Sequence, residues 1–215
     1  MKRRVAILIS GRGSNMAALV EAARAQDFPA EIVVVISNKA DAPGLAKARN
    51  SGVPAVTIES KPFGKERAGF EAKLQSALDE YRVDLICLGG FMRLFTAGFV
   101  QRWHGRMLNI HPSLLPSFPG LDVQKKAIDW GCKLAGCTVH FVTEGVDEGP
   151  IVLQAAVPVL DHDTPEILAA RILEQEHKIY PRAVQLFAEG RLRVDGRRVL
   201  IDQGKPAGDA IISPS

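Results

Sequence analysis

Asn109 and His111 stand two positions apart at the end of an apolar run that begins at Arg106, directly before Pro112. If that run is a strand, both side chains emerge on one face. Pro112 has no N–H to give a ladder, so it ends the strand and leaves His111 at the C-terminal edge. Ligands of open α/β sheets bind at that edge. An amide and an imidazole N–H are suited to a carbonyl oxygen acquiring negative charge, and imidazole also carries a proton near neutral pH. Alone, such a pair serves structure about as often as chemistry.

A second candidate is the turn Gly11-Arg12-Gly13-Ser14-Asn15, placed between an apolar strand and a helix. Backbone N–H groups at a helix start hold anions, aided by the positive end of the helix dipole. The third glycine of a dinucleotide fingerprint is replaced by Met16, and no Gly-Lys-Ser/Thr follows. Those departures argue against a nicotinamide dehydrogenase and a nucleoside triphosphate site, and favour a single terminal phosphate. The plainer reading, a tight turn that needs glycine for its backbone angles, stands beside it. Asp147 lies in the turn Glu144–Pro150, where an Asp is ordinarily a solvated turn residue.

The elements that must position these groups follow from periodicity. Strands are expected over Val5–Ser10, Glu31–Ser37, Pro54–Ile58 and Val83–Gly89, with helices over Ser14–Ala25, Ala42–Ser51 and Lys65–Tyr81 between them. That alternation implies an α/β fold: a Rossmann-like, mostly parallel twisted sheet flanked by helices. In the second half, strands at Arg106–Ile110, Leu134–Val142 and Ile151–Val159 have little or no helix between them, which predicts mixed or antiparallel pairing there. Thr164 is placed to cap a long helix from Pro165 to about Ala188, ended by Gly190. A terminal hairpin is expected around Asp195-Gly196. One domain over residues 1–203 is expected, with 204–215 as a flexible tail.

Composition narrows the classes. The chain has 215 residues, 47% hydrophobic and 24% charged, with net charge +3, values of a globular enzyme-sized domain. Lys and Arg are scattered, so no nucleic acid or membrane partner is expected; anionic small molecules fit. The apolar run after Met1-Lys2-Arg3-Arg4 stops at Ser10-Gly11, too short for a signal peptide core. Cys87, Cys132 and Cys137 form neither a disulfide framework nor a zinc pattern, so no metal and a reduced cytoplasmic setting are expected. His104 and His162 read as surface residues, and His140 and His177 as support for packing and hydrogen bonding.

The run Asn109-Ile110-His111-Pro112-Ser113-Leu114-Leu115-Pro116-Ser117-Phe118-Pro119-Gly120 resembles the signature of the folate-dependent formyltransferases. The likeness extends over roughly residues 5–202. It implies a catalytic set of Asn109, His111 and Asp147, with Asp147 orienting His111 and helping to move a proton from the attacking amine. It implies that 10-formyltetrahydrofolate is the formyl donor and co-substrate, bound by Arg67, Met92, Arg93, Leu94, Phe95 and Asn109. The acceptor it implies is glycinamide ribonucleotide, a purine precursor, held by Gly13, Ser14 and Asn15 at the phosphate and by Glu176 at the glycinamide portion. Arg67 has a second reading as an exposed helical arginine, because the spacing around Gly64-Lys65-Glu66 differs by one residue. For Phe91 the preferred reading is closure of the core. Asp122-Val123-Gln124 stands where some relatives carry loop histidines, so any contribution of those histidines is expected to be missing. A monomer or homodimer acting on small molecules is expected. The alternatives are a formyltetrahydrofolate deformylase, with water as acceptor, another enzyme of the formyltransferase family, or a non-catalytic binding module for folate or a phosphate ligand.

Overall fold

The structure, a computed structural model, describes residues 1–202. Among the described residues, nine strands belong to one sheet; in spatial order they begin at Ala55, Ala30, Arg3, Leu85, Met107, Leu134, Ile151, Arg198 and Leu192. The chain divides into two units, Met1–Asn109 with Phe141–Glu144, and Ile110–His140 with Gly145 onward.

The first unit is the repeated strand–helix half. It contains β1 (Arg3–Ile9), α1 (Ser14–Ala22), β2 (Ala30–Ser37), α2 (Pro43–Asn50), β3 (Ala55–Thr57), α3 (Ala68–Glu80), β4 (Leu85–Leu88) and α4 (Ala97–Arg102). Strand β5 (Met107–His111) begins in this unit. The pairs β1–β2, β1–β4, β2–β3 and β4–β5 are parallel. Every residue from Val5 to Ile9 is fully buried, which is why that strand reads as an unbroken apolar run rather than an alternating one. Ala6, Leu8, Val34 and Ile36 pack against Phe70, Leu74 and Leu78 of α3. The core continues through Phe99 and Trp103, with Phe91 packed against it. Phe91 thus helps to close the core, as expected from the sequence.

The second unit pairs its strands mostly antiparallel, with one parallel contact between Ile151 and Arg198. Helix α5 (Val123–Asp129) precedes β6 (Leu134–Phe141) and β7 (Ile151–Pro158), which pair antiparallel. Helix α6 (Pro165–Ala188) opens with Thr164 Oγ accepting from Ile167 N–H, and Pro165 holds the first helical position. Its buried stripe runs through Leu168, Ile172, Glu176 and Tyr180 at four-residue spacing. Strands β8 (Leu192–Asp195) and β9 (Arg198–Ile201) form the expected hairpin.

Differences from expectation concern short elements. Helix α1 ends at Ala22 and α3 starts at Ala68, after a 3-10 turn at Lys61–Phe63. Helices α4 and α5 were hidden, because each is shorter than two full apolar periods. The tail expected at 204–215 lies outside the described residues. Among the described residues, no helix is long and apolar enough to cross a membrane.

Candidate active site

Strand β5 carries both members of the central pair. Asn109 is half-buried and faces Leu88 of β4 in register. His111, 6% exposed, is the last residue of the strand. The ladder ends where Pro112 removes a donor, as the sequence requires.

In the second unit His111 and Asp147 come together. His111 Nδ1 lies 3.4 Å from Asp147 Oδ2, with side chains 7% and 13% exposed. The same carboxylate oxygen accepts from Gly120 N–H at 2.9 Å. On the other side of the ring, His111 Nε2 is 3.0 Å from the Phe118 carbonyl. A carbonyl only accepts, so Nε2 carries the hydrogen. Both groups facing the ring nitrogens, the Phe118 carbonyl and the Asp147 carboxylate, are acceptors. Asp147 thus faces Nδ1 of the ring at 3.4 Å, a separation too long for a strong hydrogen bond.

The sequence did not reveal the loop contacts. Phe118 O and Gly120 N close over the pair through a turn in which Phe118 (φ 53), Gly120 (φ 82) and Asp122 (φ 58) are left-handed. Asp147 also has φ 55, a left-handed turn conformation that Asp tolerates. His140 was assigned to packing; its Nε2 lies 3.8 Å from Asp147 Oδ1, which adds a neighbour to that carboxylate. Beneath the loop, a cavity of about 90 Å³ is lined by Pro112, Ser117, Phe118, Cys132 and Ile172 among others.

Glu176 lies in the same unit, 6% exposed on the buried stripe of α6. Burial pushes the neighbouring Cys137 thiol up to about 12, and the Glu176 carboxylate adds to the effect; a backbone bond with Ala155 opposes it. Next to Glu176, burial lowers His177, whose Nε2 has no hydrogen-bond partner.

In the first unit the glycine turn takes the form its composition demands. Gly13 is the left-handed cap of α1 (φ 66), with no side-chain cap on the helix N-terminus. A Cβ there would sit 3.0 Å from Met16 Cε and 3.2 Å from Gly44 Cα. The backbone requirement for glycine is therefore real. Ser14 and Asn15 begin the helix, half-buried, where uncapped N–H groups cluster. The loop Gly90–Thr96 exposes the apolar side chains of Met92 (66%) and Leu94 (55%). Arg93 is fixed by the carbonyls of Gly64 (3.2 Å) and Glu66 (3.1 Å), with its guanidinium over Phe70. Arg67 is exposed at the start of α3 and reaches the Phe95 carbonyl at 3.5 Å, so it touches the same loop. The Met92 N–H is occupied by Ser10 Oγ at 2.8 Å, which removes it from the backbone groups that could read a ligand. Among the described residues, no group of three or more His, Cys, Asp or Glu side chains is placed to hold a metal ion.

The formyl transferase family model matches residues 3–184. The trifunctional purine biosynthetic protein adenosine-3 of Bos taurus is 50% identical over 193 residues, which are 90% of this chain and 19% of that protein. The chain thus spans about a fifth of the length of that relative. The phosphoribosylglycinamide formyltransferase of Haemophilus influenzae is 44% identical over 93% of this chain and 94% of its own length. The crystal structure of glycinamide ribonucleotide transformylase 1 from Symbiobacterium toebii superposes with a TM-score of 0.90 at 53% identity, covering 93% and 94% of the two chains. A formyltetrahydrofolate deformylase from Burkholderia mallei is more distant, at 29% identity and a TM-score of 0.84, with 70% of its chain covered. The signature at Asn109–Gly120 and the fold around it agree with the family match, and the chain belongs to the formyl transferase family.

Proposed function

We propose that the chain transfers the formyl group of 10-formyltetrahydrofolate to the primary amine of glycinamide ribonucleotide, giving formylglycinamide ribonucleotide and tetrahydrofolate. The observation that carries this reading is the contact of His111 with Asp147 within a family signature, at the end of the strand that also bears Asn109. The acceptor amine attacks the formyl carbon. Asn109 and the protonated His111 stabilise the oxyanion of the tetrahedral intermediate. His111 reaches that oxygen by exchanging its bond to the Phe118 carbonyl for one to the substrate. Asp147 supports the imidazolium and takes the amine proton through water. The carbon–nitrogen bond to the folate then breaks, and its nitrogen recovers a proton. Neither a covalent enzyme intermediate nor a metal enters this scheme.

Gly13, Ser14 and Asn15 suit the acceptor's phosphate, because the start of α1 offers backbone donors without a competing side-chain cap. Glu176 suits the glycinamide portion as a buried carboxylate that can pair with an ammonium or amide. The folate is assigned to Arg67, Met92, Arg93, Leu94, Phe95 and Asn109, of which Met92 and Leu94 supply an exposed apolar surface.

Absorbance-monitored folate turnover, with and without glycinamide ribonucleotide, tests the reading. Turnover that depends on the acceptor is expected. Rapid formate release without it would replace the assignment with deformylase activity, and folate binding without any turnover would leave only a binding module.

A further inference from the structure

Loop Gly90–Thr96 is tied down at both ends by buried polar side chains that the reaction does not use. At its far end, Thr96 gives two hydrogen bonds to one carboxylate: its N–H to Glu71 Oε1 at 2.6 Å and its hydroxyl to Glu71 Oε2 at 2.5 Å. Glu71 is 6% exposed, on the face of α3 that also buries Phe70, Leu74 and Leu78. A carboxylate accepts and does not donate, so a single residue fills both of its oxygens with short, charge-assisted bonds. Thr96 Oγ also accepts from Phe99 N–H at 3.3 Å, which joins the anchor to the start of α4.

At the near end, Met92 N–H donates to Ser10 Oγ at 2.8 Å. Ser10 spends its own hydrogen on Asn38 Oδ1 at 2.6 Å, so its lone pair is committed to Met92. Asn38 Nδ2 in turn donates to Ser60 Oγ at 3.1 Å. Beside the anchors, Phe91 and Phe95 stack at 5.4 Å, and Phe95 stacks on Phe99 at 4.7 Å.

We propose that Glu71 and Ser10 are positioning residues for the formyl donor: they hold Met92–Phe95 in the donor-binding shape before the donor arrives. This rests on the assignment of the loop to the folate in the proposed function. A loop ordered during folding does not lose that freedom on binding, so the anchors act on donor affinity. Acceptor affinity, which draws on other residues, is independent of them.

The test compares Thr96→Val, which keeps the side-chain shape and removes the hydroxyl, with Thr96→Ser, which keeps the hydroxyl and removes the methyl. Glu71→Gln and Ser10→Ala probe the anchors directly. Circular dichroism and thermal midpoints establish that each variant is folded, and KM is measured separately for donor and acceptor. Thr96→Val, Glu71→Gln and Ser10→Ala are expected to raise donor KM about five- to tenfold while acceptor KM stays within about twofold. Thr96→Ser is expected to hold donor KM within about twofold of the unaltered protein. If Glu71→Gln does not fold, Thr96→Val and Ser10→Ala carry the comparison. Folded variants with unchanged donor KM overturn the proposal, as does a Thr96→Ser as defective as Thr96→Val. Tetrahydrofolate binding by calorimetry separates the two readings. An unaltered protein that binds no folate overturns the proposed function along with this one. Normal turnover with insensitive anchors overturns this one alone.

Discussion

The loop of the first unit and the loop of the second are secured in opposite ways. Gly90–Thr96 is held by Ser10, Glu71 and an aromatic column, none of which has a reactive duty. The turn at Phe118–Gly120 is held by His111 and Asp147 themselves. The first arrangement allows a rigid binding surface to form once, during folding. In the second, the two residues proposed for the chemistry hold their own cover, which in the proposed reaction moves before His111 donates to a substrate. The cavity under Pro112, Ser117 and Phe118 gives that turn room that a fully packed loop would lack.

The largest effect that sharpens this contrast belongs to His111. His111→Ala is expected to lower kcat about a hundredfold or more, and Asp147→Asn to do the same, in steady-state assays with donor KM little changed. His111→Ala also removes the partner of the Phe118 carbonyl, so amide exchange at residues 118–122 is expected to quicken while that of 90–96 does not. Turnover near that of the unaltered protein in either variant would break the assignment of the chemistry to this pair.

What the sequence made legible follows the same division. Strands such as Val5–Ile9 were readable because burial on both faces leaves an uninterrupted apolar run. The helix from Pro165 to Ala188 was readable because its cap, its proline and its stripe agree. His111 was proposed from the run Asn109–Gly120 and Asp147 from the separate turn Val146–Pro150, and neither stretch revealed the contact between them. The anchors left a fainter trace. Glu71 is a carboxylate beside the apolar positions of α3, as Glu176 is on α6, and a charge in a buried stripe signals a partner without saying which. Ser10 left none: a serine closing a strand before glycine looks like any turn residue, and its bond to Met92 spans distant parts of the chain.

A smaller effect concerns stability in the second unit. Arg171 grips Asp163 through two bonds of 2.6 and 2.7 Å, and the Asp163 side chain is 3% exposed. The guanidinium holds that carboxyl below the usual carboxylate range and is itself held above its ordinary value. Asp163 thus contributes stability that is complete above the ordinary carboxylate value near about 3.9 and is lost as pH falls through its lower folded value. Asp163→Asn is expected to cost about 2 kcal/mol at neutral pH. Thermal midpoints from pH 7 downward should show the penalty shrinking in strong acid; a penalty independent of pH would mean that shape rather than charge explains it.

In the first unit the matching probe is Gly13→Ala. The left-handed backbone and the approach of Gly44 both resist a Cβ, and a loss of about 1–2 kcal/mol is expected. If Gly13 also shapes the phosphate turn, acceptor KM rises in this variant and donor KM does not. That pattern is the reverse of the one expected for Thr96→Val, so the two substitutions together separate the acceptor's contacts from the donor's. Equal rises in both constants would indicate a general loosening of the unit.

The smallest effect is on reactivity rather than on folding. Each unit buries a thiol completely, Cys87 in the first and Cys137 in the second, whereas Cys132 is half-buried on the wall of the cavity. Thiolate is the reactive form, and with its pKa pushed up to about 12 Cys137 stays a neutral thiol at any working pH. Native protein treated with a small disulfide reagent at pH 8 is therefore expected to modify Cys132 first, with Cys87 and Cys137 reacting only after unfolding. Because Cys132 faces the same space as Ser117 and Phe118, its modification should slow turnover by restricting the turn that His111 must release, and leave donor binding at Met92–Phe95 intact. Modification that weakened donor binding and spared kcat would show that the two loops are not independently secured, and the contrast between them would fail.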